Sequence, residues 1–150
     1  MNTRKLLPFV LLLVAFSVTA FAQQNIRWRG SDGWGASGRY EQMFSINSPH
    51  FIEGTIARID TVTPMNDMSY GIMIAVNDGM EEHVVHLGPA WYMLFQDLNL
   101  SVNERVEVRG ARASFGGNVF IMAIEVRRDN RILHLRDEDG VPNWIAWRRR

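Results

Sequence analysis

The nine residues Val84-Val85-His86-Leu87-Gly88-Pro89-Ala90-Trp91-Tyr92 constrain this chain more than any other stretch. A short apolar strand stops at a Gly-Pro pair, and Pro89 suits the first position of a helix. Trp91, Leu94, Phe95 and Leu98 then recur at i, i+3, i+4 and i+7, the spacing of one helical face. A strand that hands over directly to an amphipathic helix belongs where that helix caps something apolar.

The neighbouring strands supply what is capped. Phe51 to Val62 reads as a long strand in which Ile52, Gly54 and Ile56 share one parity and Ile59 falls on the other. A break of phase beside a glycine is expected of a bulged, strongly curved strand. Thr63 to Ser69 is a loop built on Pro64, Asn66 and Asp67. Tyr70, Ile72, Ile74 and Val76 alternate in a second strand, Asp78-Gly79 signals a hairpin turn with positive φ at both central residues, and Glu82 to Leu87 is the third strand. Beyond the helix, Val106, Val108 and Gly110 mark a fourth strand. Phe115-Gly116-Gly117-Asn118 turns it into a fifth carrying Phe120, Met122, Ile124 and Val126, and Asp129-Asn130 turns the chain toward Ile132 to Arg136. Three strands, one helix and two further strands is the order of an OB fold. The expected class is mainly β: a five-stranded OB-like barrel over residues 49–136, with one short helix after the third strand.

The flanks bound location and chemistry. Arg4 and Lys5, an apolar run from Leu6 to Val18 and the Ala20-Phe21-Ala22 step form a secretory signal peptide over residues 1–22, with cleavage expected after Ala22. The run falls short of the roughly 20 apolar residues of a membrane-spanning helix. A bacterial periplasmic or secreted location follows as the expectation, with no span left after the leader is removed. The chain has no cysteine, so the barrel is held by burial and backbone pairing, without a thiolate nucleophile, a thiolate metal site or a cysteine redox pair. Its one lysine lies in the leader, leaving fourteen arginines against sixteen acids. That balance lacks the basic excess of a non-specific nucleic-acid binder. Residues 23–48 form an irregular arm with Gly30, Gly33, Gly35 and Gly38, whose Trp28, Trp34 and Tyr40 are expected to pack on the barrel. Residues 137–150 form a turn-rich tail with Trp144, Trp147 and three terminal arginines.

Gly33-Trp34-Gly35, Thr63-Pro64-Met65 with Met68-Ser69-Tyr70-Gly71, the central nine residues, and Leu135-Arg136-Asp137 with Gly140, Pro142 and Trp144 together carry a family likeness. On these motifs the chain resembles a family of small secreted bacterial proteins described as OB folds. The resemblance implies that architecture for nearly the whole exported chain. A nucleic-acid label that such proteins sometimes carry rests on fold alone and assigns no function.

Three constellations are candidates for chemistry. Met65, Met68 and Met73 with His83 and His86, near Trp91, offer the thioether and imidazole donors that suit Cu(I). Met65, Met68, His83 and His86 are the candidate metal set, with copper the possible cofactor. In residue types this is similar to the small OB-barrel copper chaperone of bacterial copper and silver efflux systems, but the ligand spacing differs. Met73 equally suits a core filler. His83 and His86 have opposite parity, so only one can join a given site without a bulge. Second, Tyr70, Trp91 and Tyr92 with Arg105, Arg109 and Arg112 suggest a face for nucleic acid or oligosaccharide. Against it, Ser69 to Gly88 holds no lysine or arginine, and Asp78, Glu81 and Glu82 crowd the hairpin. Third, no catalytic constellation stands out, and Asp129 with Asp137, Glu138 and Asp139 lacks the spacing of a calcium loop. The expectation is a non-enzymatic binding or accessory module for another envelope protein, with Tyr70, His86, Trp91, Tyr92, Trp144 and Trp147 as candidate contact residues.

Overall fold

The computed structural model describes residues 32–45, 47 and 49–147, without the side chains of Ala146 and Trp147. The expected leader and Trp28 therefore lie outside the described residues. The chain divides into Met1–Gly30 and Ser31–Arg150, and the fold described is that of the second unit.

Six strands form one sheet: β1 Pro49–Val62, β2 Gly71–Asn77, β3 Glu82–Pro89, β4 Arg105–Phe115, β5 Asn118–Arg128 and β6 Arg131–His134. Their order is β3-β2-β1-β4-β5-β6, and a parallel pairing of β3 with β5 closes the sheet into an OB-like barrel. Among the described residues, two short helices, α1 Ala90–Met93 and α2 Asn143–Trp147, and a 3-10 turn at Glu41–Met43 accompany the strands.

β1 makes the barrel possible because it serves two partners. Its first half, Pro49 to Thr55, pairs with β4, and Thr55 to Val62 pairs with β2. A strand that changes neighbours must bend, and the register slips between Ile56 and Arg58. Gly54 stands at the handover because an added Cβ would lie 2.3 Å from the Asn77 carbonyl oxygen. The phase break in the sequence is thus a bulge, centred slightly beyond the glycine.

Three local expectations are corrected. The Asp78-Gly79 connection spans four residues between β2 and β3, and only Gly79 has positive φ there. Side chains shape it instead: Asp78 Oδ1 accepts from the Met80 and Glu81 N–H groups, and Asn77 Oδ1 accepts from Gly79. The two-residue glycine hairpin is Gly116-Gly117, at φ +59° and +81°. Second, the run after Asp129-Asn130 contains a sixth strand, paired with β5 from Glu125↔His134 to Arg128↔Arg131. Third, the helix expected through Leu98 ends at Met93, leaving Leu94 and Phe95 exposed while Leu98 enters the core.

The helix stops early because other side chains fill that end of the barrel. Trp34 and Tyr40 from the arm and Trp144 from the tail are buried in the same core as Leu87 and Tyr92. Trp34 Nε1 donates to the Ser69 carbonyl at 3.0 Å, and Trp144 Nε1 donates to the Trp34 carbonyl at 2.8 Å. Trp34 meets Tyr40 edge-on at 4.9 Å between ring centroids. Two glycines make room for these rings. A Cβ at Gly88 would sit 2.8 Å from the Trp144 ring, and one at Gly71 would sit 2.6 Å from both the Trp34 ring and the Gly88 carbonyl.

Gly71→Ala is therefore expected to destabilise the protein by about 1–3 kcal/mol through overpacking. The urea midpoint should fall with the slope unchanged, whereas Met80→Ala on the exposed hairpin should stay within about 0.5 kcal/mol of wild type.

Candidate functional site

The closure of β3 on β5 extends over two residue pairs, Val85↔Ile121 and His86↔Met122. On the N-terminal side of these pairs the strands part, with Val84 on one wall and Asn118, Val119 and Phe120 on the other. Val62, Thr63 and Pro64, where β1 runs into the loop before β2, and the Phe115-Gly116-Gly117 turn complete the rim of a cleft of about 500 Å³. His86 lies on its floor. Among the described residues no acid or arginine lines it.

His86 is only 4% exposed. Its ring stacks on Phe120 at 4.2 Å between centroids, and its Nδ1 is 3.1 Å from the Tyr40 hydroxyl. Burial, and secondarily the nearby Arg136 charge, push its pKa down to about 4. The imidazole is neutral at pH 7.

Behind Tyr40 lies a buried ion pair. Arg136 Nη2 donates to Glu41 Oε1 and Oε2 at 3.0 and 3.1 Å, and Nε donates to Oε2 at 3.3 Å. Its Nη1 donates to the Ala123 carbonyl of β5, and the guanidinium lies 4.9 Å from the Trp144 ring centroid. Burial raises the Glu41 pKa, and Arg136 opposes that rise. Burial also raises the Tyr40 pKa, countered in part by the charge of Arg136. Local structure places these groups. The 3-10 turn follows directly from Tyr40, and the Leu135 and Arg136 N–H groups both donate to the Ile124 carbonyl, holding the tail's first residues against β5.

The expected site residues are mostly elsewhere. Met65 and Met68 are buried in the core, Met68 against Gly33, and neither lines the cleft. His83 Nε2 is 2.7 Å from Asp78 Oδ2 outside the cleft, as opposite parity requires. The carboxyl of Asp78 is held well below the usual carboxylate range by backbone N–H of Glu81, then by His83 and Met80. The four-residue metal set is thus not gathered at His86. Among the described residues no group of three or more His, Cys, Asp or Glu is placed to hold a metal.

Of the candidate contact residues whose side chains are described, His86 alone lines the cleft. Tyr70 is exposed, Trp91 is half-buried and Tyr92 is buried, all outside it. Trp144 is buried with its indole N–H already bonded, so it is a core residue rather than a contact residue. The Trp147 side chain lies outside the described residues. Two of the arginines proposed to follow phosphates pair with acids on the outer face, Arg105 with Glu53 at 2.7 Å and Arg109 with Glu125 at 3.3 Å. Glu41 was not singled out, Tyr40 was expected only to pack on the barrel and Arg136 only formed part of a family motif, because neither an irregular arm nor an arginine after a short strand shows periodicity that marks a site.

A small closed barrel with a cleft between its closing strands, bordered by the loops after strands one and four, is an OB-like fold and fits a binding module. The chain belongs to the MamS/MamX magnetosome protein family, whose profile matches residues 48–133. The match takes in the cleft and His86 but ends short of Arg136 and begins after Glu41. The Gly33-Trp34-Gly35 and Gly140, Pro142, Trp144 motifs also fall outside it. No curated protein matches the chain. Among solved structures, the S. pombe Stn1–Ten1 complex is similar at 22% identity and a TM-score of 0.37, over 68% of this chain and 67% of that one. That likeness is too distant to carry function.

His86 should make stability depend on acid. Its native pKa of about 4 lies below the unfolded value near 6.5, so its contribution is complete above pH 6.5 and is lost as pH falls toward 4. The loss approaches about 3 kcal/mol. Glu41, with a raised pKa, has the opposite sign: its contribution is present below its unfolded value and lost as pH rises through the native one. Comparing wild type with His86→Gln by urea unfolding at several pH values cancels Glu41. The wild type should show the extra acid loss.

Proposed function

We propose that this chain is a non-enzymatic, magnetosome-associated accessory protein, exported by its leader, whose barrel binds another protein through the cleft above His86. Family membership supports the association with magnetosomes. One observation carries the binding role: an uncharged cleft between parting strands, rimmed by the solvent-exposed apolar side chains Phe115 and Val119. Among the described residues the lining offers no cation to a phosphate, which disfavours nucleic acid. The separation of Met65, Met68 and His83 from the His86 cleft disfavours copper there. Among the described residues no helix is long and apolar enough to cross a membrane.

In a magnetosome-forming cell, the tagged wild type should co-purify with isolated magnetosomes and crosslink to a partner. Phe115→Asp with Val119→Asp should reduce both by about tenfold, equivalent to roughly 1.4 kcal/mol, with an unchanged circular-dichroism spectrum. Equal recovery of the variant would remove the cleft from the interaction. Intact mass of the exported protein should give Gln23 as the first residue, and a chain retaining Met1 would refute cleavage after Ala22.

A further inference from the structure

The polarity of the cleft floor is fixed from behind. Among the described residues the Tyr40 hydroxyl meets one hydrogen-bond partner, His86 Nδ1. The hydroxyl keeps its own proton, which, being buried, needs an acceptor. Glu41 is engaged, since both its carboxylate oxygens accept from Arg136. His86 Nδ1, 3.1 Å away, is the acceptor that remains. A neutral imidazole that accepts at Nδ1 carries its proton at Nε2. Nε2 has no hydrogen-bond partner among the described residues, and His86 borders the cleft. The floor therefore presents a neutral N–H donor, with no lone pair offered to a metal in this tautomer.

The walls narrow what that donor meets. Val62, Pro64, Val84, Val119 and Phe120 are apolar, and a charged group entering between them would shed water without gaining a counter-ion. β3 pairs with β2 along its length but with β5 only at Val85 and His86, so the β5-facing edge of Glu82 to Val84 is free among the described residues. A free strand edge beside an apolar wall is suited to main-chain pairing with an added strand.

We infer that the cleft takes an extended, uncharged peptide segment of the partner protein, which adds to the edge of β3 and places a backbone carbonyl on His86 Nε2–H. Its identity as a peptide rests on the cleft being the protein-binding site proposed above. Tyr40 is a positioning residue: it acts on the ligand only through the His86 tautomer.

Two measurements test this on the exported chain. Nitrogen-15 NMR at pH 7 should show His86 protonated at Nε2 and bare at Nδ1, and Tyr40→Phe should release that preference. The opposite tautomer in wild type, or no change in Tyr40→Phe, would overturn the donor assignment. Random heptapeptides displayed on phage should then be selected on the wild type, with the Phe115→Asp, Val119→Asp variant as counter-selection. Enriched peptides should alternate β-branched or aromatic residues and lack Lys, Arg, Asp and Glu. Synthetic copies should bind at least fivefold more weakly to Tyr40→Phe and to His86→Phe. Cleft-dependent peptides rich in charge would overturn the inference while leaving protein binding at the cleft intact. Peptides that bind the rim variant equally well would overturn both.

Discussion

The rest of the described structure depends on one buried ion pair, Arg136 with Glu41, which joins residues 95 positions apart in the chain. Burying two charges costs several kcal/mol for each ion, and only close, multiple hydrogen bonds offset that. Here three bonds from the guanidinium to the carboxylate, a fourth to Ala123, and the Trp144 face supply the compensation. An apolar pair of similar volume would be about as stable. What the ion pair adds is register. Arm and tail can satisfy both charges only in one placement, and that placement carries Trp34, Tyr40 and Trp144 into the barrel end.

This division explains why the site draws on two sources. The family-matched segment supplies the strands, the parting of β3 from β5, and His86 itself. The arm and tail, outside that segment, supply Tyr40, which meets His86 Nδ1, and Arg136, whose charge helps keep the histidine neutral, with Glu41 as the partner of Arg136. An OB-like barrel with the same cleft but other flanks would present a different floor. The aromatic plug and the polar relay are therefore parts of one device: the packing of Trp34 and Trp144 holds the relay dry, and a dry relay leaves the Tyr40 proton one acceptor.

Much of the barrel was legible because its signals are local. The change of parity after Ile56 marked the bend of β1, Gly116-Gly117 marked a hairpin, and the strand order around the central nine residues gave the OB-like class. Trp34 and Tyr40 were expected to pack on the barrel, and they do. The helix was over-read because Leu94 and Phe95 keep helical spacing, while the space they would fill is taken by residues more than 40 positions away. Of the site, His86 was legible as a residue but not as a cleft floor. The residues proposed to join it in a metal set, His83, Met65 and Met68, do not line the cleft, and its polar neighbours Tyr40 and Arg136 come from the arm and the tail. Periodicity reports which face a residue occupies and is silent about which distant segment meets that face.

Leaving strand edges open is hazardous, since an exposed apolar edge invites pairing with other copies. The charge distribution answers this without polarising the cleft. Asp78, Glu81 and Glu82 gather on the β2–β3 hairpin, with Glu82 two residues along β3 from Val84, while the lining stays uncharged. Two copies approaching through this edge would bring like charges together, whereas a neutral segment would meet no such barrier. Charge beside the cleft and its absence within select the same kind of occupant: it must be uncharged, and it must not be another acidic hairpin of this chain.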